Sequence, residues 1–133
     1  MSAGHGILVT LDASGQPQPV PTCFVLDAAG RSVCVPVDLV KPKVSTSLGR
    51  VANLKADPRA SLLVEHWDHE DWSALWWVRA TLEFTGDFAA HDPHVGWAVD
   101  ELGDKHVQYA NAPFVRMLHF EVTHLSGWSA SSS

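Results

Sequence analysis

A short basic stretch is the part of the sequence best suited to hold an anion. Lys41 and Lys43 flank Pro42, and three hydroxyl residues follow at 45–47. The chain as a whole is acidic, with nine Lys and Arg residues against fifteen Asp and Glu residues. A helix that begins near Val44 would add free backbone N–H groups and a partial positive charge at the same point. The stretch predicts a cradle for a small anionic group; the alternative is a solvated loop in which a hydroxyl caps the helix.

The segment EHWDHED, residues 65–71, has the residue types of a metal site. It contains His66 and His69 among four carboxylates. The segment spans a predicted strand end and a loop, where consecutive acidic side chains splay apart. Its spacing resembles no closed zinc set. The sequence therefore favours a solvated loop and no metal site.

The residues of a nucleophilic enzyme are not apparent in the sequence. The remaining histidines are scattered, and no serine or cysteine stands in a recognisable nucleophile motif. A hydrolase driven by side chains alone is not supported, and we assign no catalytic residue. If the protein is an enzyme, we expect a bound cofactor to carry the chemistry.

The segment WWVRATLEFT, residues 76–85, has the clearest periodicity in the chain. Alternate residues from Trp76 to Phe84 are apolar, which predicts a strand with one face in the core. Trp77 and Arg79 stand on the other, polar face. A large ring there usually covers a partner subunit, a loop or a ring-shaped ligand.

The remaining elements follow from turn signals and periodicity. Two Asp-small-small-Gly segments predict hairpins, and an apolar stripe at helical spacing before Asp57-Pro58 predicts a helix. The predicted strands are 7–12, 19–26, 31–37, 59–68, 76–85 and 114–123, with helices at 44–55 and, more weakly, 91–103. These elements predict a mainly β (α+β) protein, a six-stranded antiparallel barrel with one or two short helices. We expect one domain over 1–128 and a flexible tail over 129–133.

The two cysteines are expected to be reduced. A three-residue second turn pairs Asp27 with Arg31 and sets Cys23 opposite Val35. Cys34 is then one place out of register, so the two thiols are predicted to point to opposite faces.

Charge and hydropathy exclude several partners. A net charge of −6 argues against a nucleic-acid surface, which needs a broad basic footprint. No apolar run approaches the roughly 20 residues of a membrane span, and the first residues lack the pattern of a signal peptide. We therefore expect a cytoplasmic protein that binds neither nucleic acid nor membrane.

Several short motifs, in order along the chain, carry a resemblance to a known superfamily. The chain resembles the split β-barrel proteins related to pyridoxamine 5′-phosphate oxidase, and more narrowly the probable F420-dependent flavin/deazaflavin oxidoreductase branch of actinobacteria. The motifs are TLDASGQPQPVP (10–21), KPK (41–43), NLKADPRA (53–60), DWSALWWVRA (71–80), KHVQYA (105–110) and SGWSA (126–130).

The resemblance implies an FMN-binding split-barrel fold and a homodimer with two cofactors in grooves between the subunits. It gives Lys41 and Lys43 the role of holding the cofactor phosphate or acidic tail, with Ser45 as a donor. It places Pro21 and Thr22 on the strand whose backbone runs along the cofactor ring. It also places Trp77 and Arg79 on the strand that lines the dimer groove.

Three functions are compatible with this reading. The first is an oxidoreductase that uses F420, or else FMN, to transfer a hydride to or from a small molecule. The second is a non-catalytic protein on the same fold that carries or sequesters a flavin, F420 or haem. The third is a dimer that has lost its ligand.

Overall fold

The computed structural model describes residues 2–38, 44–105 and 114–130, which form six strands and two α-helices. The elements are β1 (Ser2–Leu11), β2 (Pro17–Leu26), β3 (Ser32–Asp38), α1 (Val44–Ala56), β4 (Arg59–His66), β5 (Trp76–Ala89), α2 (Gly96–Lys105) and β6 (Phe114–Ser129). Short 3-10 turns at Trp72–Ala74 and Pro93–Val95 precede β5 and α2.

The strands close into one antiparallel barrel in the order β1-β2-β3-β6-β5-β4. This confirms the predicted six-stranded antiparallel split β-barrel, mainly β, with two short helices. The division into a domain over 1–128 and a tail over 129–133 stays a prediction, although β6 reaches Ser129 and the N–H of Ala130 donates to the carbonyl of Leu75 at 2.9 Å.

Two apolar cores hold the barrel and its helices. The barrel interior is filled from the strands and from Leu54 of α1, and its largest buried ring is Phe120. The second core lies between the outside of β2, β3 and β6 and α2, around Cys34, Val95 and Met117. Burial of the apolar sides of both helices, rather than intrinsic helix propensity, therefore holds them in place.

The first predicted hairpin forms as expected. The N–H of Asp12 donates to the carbonyl of Gln16 at 3.0 Å, and Gly15 takes the left-handed conformation at φ 83°. The Asp12 carboxylate accepts the N–H groups of Ser14 and Gln16, both at 2.9 Å. Asp at the start and Gly at the left-handed position are what this turn requires.

The second hairpin differs from its predicted register by one residue. The N–H of Asp27 donates to the carbonyl of Ser32 at 3.0 Å, so Arg31 belongs to the turn, where its N–H donates to the Asp27 carboxylate at 2.8 Å. Val25 therefore lies opposite Cys34. A shift of one residue reverses the face of every side chain. The prediction that the two thiols point to opposite faces was wrong: Cys34 shares the α2 side with Cys23.

Strand lengths were also underestimated. β5 continues through Gly86 to Ala89, and β6 pairs with it from Arg116 to Ser129. The predicted strands ended at Thr85 and Thr123, whereas Gly86 and Gly127 lie inside β5 and β6. At Gly127 a Cβ would lie 2.9 Å from the carbonyl of Trp77, so glycine is required by the close approach of β5.

We expect both thiols to stay reduced and Cys34 to be the less reactive. Diagonal neighbours across a strand pair lie about 7–8 Å apart, beyond the Cα separation of about 4.4–6.8 Å usual for disulfides. Burial raises the pKa of the Cys34 thiol to about 12, and Asp27 adds to the rise. Because the thiolate is the reactive form, iodoacetamide at pH 8 should spare Cys34 in the folded protein and label it after unfolding. Peptide mass spectrometry that found a disulfide, or equal labelling of both cysteines, would contradict this.

Candidate functional site

The barrel register gathers three of the predicted site residues on one outer surface of the sheet. Ala80 and Leu82 are buried in the barrel, so the alternating Trp77 and Arg79 point outward. Arg79 lies opposite Leu63, and Ile7 lies opposite both Leu63 and Pro21. A transverse row therefore connects Pro21 to Arg79 across four strands, and Trp77 stands one step along β5.

A cavity of about 430 Å³ opens at the Trp77 end of this surface. We call it the aromatic pocket; it is lined by Leu63, Glu65, Trp67, Leu75, Trp76, Trp77, Arg79 and Trp128. The guanidinium of Arg79 lies 5.4 Å from the centre of the Trp77 ring and donates to the Ser126 hydroxyl at 3.4 Å. Trp67 and Trp128 remain half exposed. Stacking surfaces of this size suit a planar ring.

The loop between β4 and β5 forms the rim of the aromatic pocket. Asp68 accepts the N–H of Glu70 at 2.9 Å, and Asp71 accepts the N–H of Ser73 at 3.0 Å. The Ser73 hydroxyl and N–H lower the pKa of the Asp71 carboxyl. These carboxylates thus organise the loop backbone. Among residues 2–38, 44–105 and 114–130, no group of three or more His, Cys, Asp or Glu side chains is placed to hold a metal.

The structure separates the two predicted residues of β2. Pro21 is exposed on the outer surface, whereas Thr22 is buried. The Thr22 hydroxyl donates to the carbonyl of Cys23 at 3.1 Å. Its side chain therefore belongs to the barrel, and only its backbone is available beside the outer surface.

The predicted anion cradle is described only in part. Lys41 and Lys43 lie outside the described residues. Ser45 is in the first turn of α1, for which the structure describes the backbone.

A groove that the sequence did not reveal lies between α1 and the β1–β2 hairpin. We call it the anion groove; its volume is about 280 Å³, and it is lined by Thr10, Gln18, Pro19, Val20, Gly49, Arg50 and Asn53. The Nε and Nη1 atoms of Arg50 are shielded from solvent, and Asn53 Nδ2 donates to the buried Thr10 hydroxyl at 3.2 Å. Arg50 and Asn53 share one side of α1 at i, i+3, the only signal of this groove in the sequence.

The aromatic pocket and the anion groove are far apart within one chain. Thr10, in the groove, is on the inner side of β1, whereas Trp77 points away from the barrel. Gln18 is on β2, three strand spacings from β5, and it lies five residues along β2 from the position level with Trp77. Together these two offsets separate Gln18 from Trp77 by roughly 20 Å along the sheet. The structure thus brings Trp77, Arg79 and Pro21 together but does not bring Trp77 close to α1.

Comparison with known proteins shows the fold. No family model matches the chain, and no curated protein matches it. Among solved structures, an FMN-binding protein from Syntrophomonas wolfei subsp. wolfei is 16% identical, with a TM-score of 0.69 over 93% of this chain and 76% of that one. The haem storage protein HutZ from Vibrio cholerae is 15% identical, with a TM-score of 0.66 over 92% of this chain and 84% of the other. An F420 reductase is 16% identical, with a TM-score of 0.56 over 92% and 88%.

These similarities place the chain in the split-barrel flavin-binding fold, whose members include both flavin-type and haem-binding proteins. The predicted actinobacterial F420 branch is one of several that share it. Across the helices the structure describes, none combines the length and apolar character of a membrane span.

Proposed function

We propose that the protein is a cytoplasmic, homodimeric oxidoreductase that binds F420, or else FMN, between its subunits and acts on a small molecule. The observation that carries the proposal is the aromatic pocket, whose tryptophan walls lie on an outer sheet surface instead of in the core. The structural neighbours that bind FMN or act as an F420 reductase support a flavin-type ligand. The free cysteines are compatible with a reducing compartment.

The cofactor phosphate is assigned to the beginning of α1. Lys41, Lys43 and Ser45 are the proposed first contacts, together with the free N–H groups of the helix start. Arg50 extends this basic region into the anion groove, about one and a half helical turns after Ser45. An Arg fork whose Nε is shielded from solvent holds a phosphate or carboxylate more strongly than an exposed cation does.

The cofactor ring is assigned to the aromatic pocket of the second subunit. Within one chain, roughly 20 Å of sheet separate Trp77 from the anion groove, and the two lie on opposite sides of the barrel wall, which favours a ring site on a second copy. A second copy can supply Trp77 and Arg79 opposite the first copy's anion groove. The homodimer is thus part of the proposed site.

The chemistry divides between the ligand and the chain. A bound flavin or deazaflavin supplies the hydride transfer. Trp77 and Trp128 provide stacking surface and exclude water, while the Arg79 guanidinium faces the same space with unused donor capacity. A fixed cation there favours a ring, or a second substrate, that gains negative charge as the reaction proceeds.

A carrier function is the second candidate. His66 stacks, with 6.0 Å between ring centres, on Trp76, which lines the aromatic pocket. An imidazole beside a ring-binding surface suits haem, which is what the neighbour HutZ stores. In this function the pocket holds its ligand without turnover.

We expect purified protein to bind F420 or FMN in preference to haem. Because a flavin-type ligand pairs a ring with an anionic arm, it can use the aromatic pocket and the anion groove together. Titration followed by the visible spectrum of each ligand, with and without Trp77→Ala, measures the preference. Tighter binding of haem, abolished by His66→Ala, would instead establish the carrier function.

A further inference from the structure

The pairing between β2 and β3 ends after two residue pairs, Val25–Cys34 and Leu26–Val33, whereas β1 pairs with β2 from Ser2 to Leu11. The barrel is therefore split along β2 over its Pro17–Phe24 portion, within the part of the chain that the structure describes. The anion groove lies on this split, since Pro19 and Val20 form one wall and α1 forms the other.

The direction of each backbone N–H on β2 follows from the hairpin. The N–H of Asp12 donates to the carbonyl of Gln16, which makes this a hydrogen-bonded pair. Such pairs alternate along an antiparallel ladder, so Gln18, Val20 and Thr22 bond to β1. The odd residues of β2 then direct their backbone nitrogens toward the split. Those residues are Pro17, Pro19 and Pro21, which have no N–H to offer, and Cys23, which has one.

The facing strand, β3, also has a proline at a position directed toward β2. Cys34 bonds across to β2, opposite Val25, so the next residue of β3 that faces β2 is Pro36. If the ladder continued, the N–H of residue 36 would donate to the carbonyl of Cys23. The Thr22 hydroxyl donates to that carbonyl instead, at 3.1 Å. Pro36 thus leaves the next pair, Cys23–Pro36, with one of its two hydrogen bonds, and Pro21 leaves the pair after it, Pro21–Asp38, without its donor on β2.

We infer that Pro21 and Pro36 keep the β2–β3 split open, and that they are positioning residues for binding in the anion groove. Each missing donor removes one hydrogen bond from the ladder, and the proline ring disfavours a neighbouring strand. The edge of β2 then presents carbonyl oxygens without N–H groups beside Arg50. A ligand in the groove can place an anion on Arg50 and a donor on the β2 edge. The identity of that ligand rests on the proposed function; the opening of the split does not.

The test restores the missing donors in the double variant Pro21→Val/Pro36→Ala. We expect the new amides at 21 and 36 to exchange with deuterium at least tenfold more slowly than an unstructured chain, because they extend the ladder. We also expect FMN and inorganic phosphate to bind at least tenfold more weakly as the groove narrows. Pro17→Val is the matched control, since residue 17 lies beyond the end of β3 in this register and should alter neither measurement.

Each outcome decides a separate part of the inference. New amides that exchange at the unstructured rate would show that the prolines do not hold the split open. Protected amides with unchanged phosphate and FMN binding would show that the split is unrelated to the groove. If the wild-type protein binds no FMN, the proposed function fails, but amide exchange still tests the prolines. Should the double variant not fold, the exposed single change Pro21→Val gives the same readout at one amide.

Discussion

Replacing Arg50 by alanine is expected to weaken the binding of F420 and FMN by about 10- to 100-fold. Hydrogen bonds to charged groups contribute about 1.5–3 kcal/mol, which corresponds to this range. The Nε and Nη1 atoms of Arg50 are shielded, so little water screens the contact. We therefore expect a loss of affinity in the upper part of this range. Lys43→Ala should cost roughly 1–3 kcal/mol by the same argument, with a loss that shrinks as salt rises.

Two control variants make the Arg50 result specific. Lys55, in the last turn of the same helix, is exposed, and Lys55→Ala should leave binding unchanged. Arg50→Lys keeps the charge but loses the planar fork, so its affinity should fall between those of the wild type and Arg50→Ala. Isothermal titration with both cofactors, beside the melting temperature of the free protein, measures these effects. Unchanged affinity in Arg50→Ala and in Lys41→Ala/Lys43→Ala at low salt would exclude an anion site at α1.

The wild-type protein is expected to be a dimer, with a mass about twice the 14.5 kDa of the chain, and Trp77→Glu/Trp128→Glu a monomer. These two tryptophans lie opposite each other on β5 and β6 at the outer surface, and Trp128 is 50% exposed. Obligate interfaces bury roughly 2,000 Å² or more, and an unpaired charge buried in one costs about 3–5 kcal/mol. Two such charges beside Glu65 should shift the equilibrium to single chains at micromolar concentration.

Light scattering and cofactor titration on the same samples give the result. If the ring site is shared between subunits, the monomeric variant should also lose F420 and FMN binding. Ala28→Glu adds a charge in an exposed turn away from the aromatic pocket and should remain dimeric. If the wild-type protein is monomeric at micromolar concentration, both the proposed interface and the shared site are wrong.

The local pattern of the sequence determined the elements and the faces of their residues. Asp12 and Gly15 specify the first hairpin because their side-chain and backbone requirements are met within five residues. The alternation from Trp76 to Phe84 specifies β5 and turns Trp77 outward because successive side chains of a strand point to opposite faces. From these signals the six-stranded barrel and its helices could be predicted.

The tertiary structure decided what lies beside each face. Periodicity identifies the exposed side of a strand but not which distant strand pairs with it, so Trp128 at the end of β6 was not connected with Trp77. In the sequence Arg50 is one polar residue of a helix, and only the fold brings it beside Thr10 and Gln18. The bond from the Asp27 N–H to the Ser32 carbonyl makes the second turn one residue longer than the first and sets the two thiols on one face. The positions of Trp128 and Arg50 depend on packing between segments far apart in the chain, which local spacing does not specify.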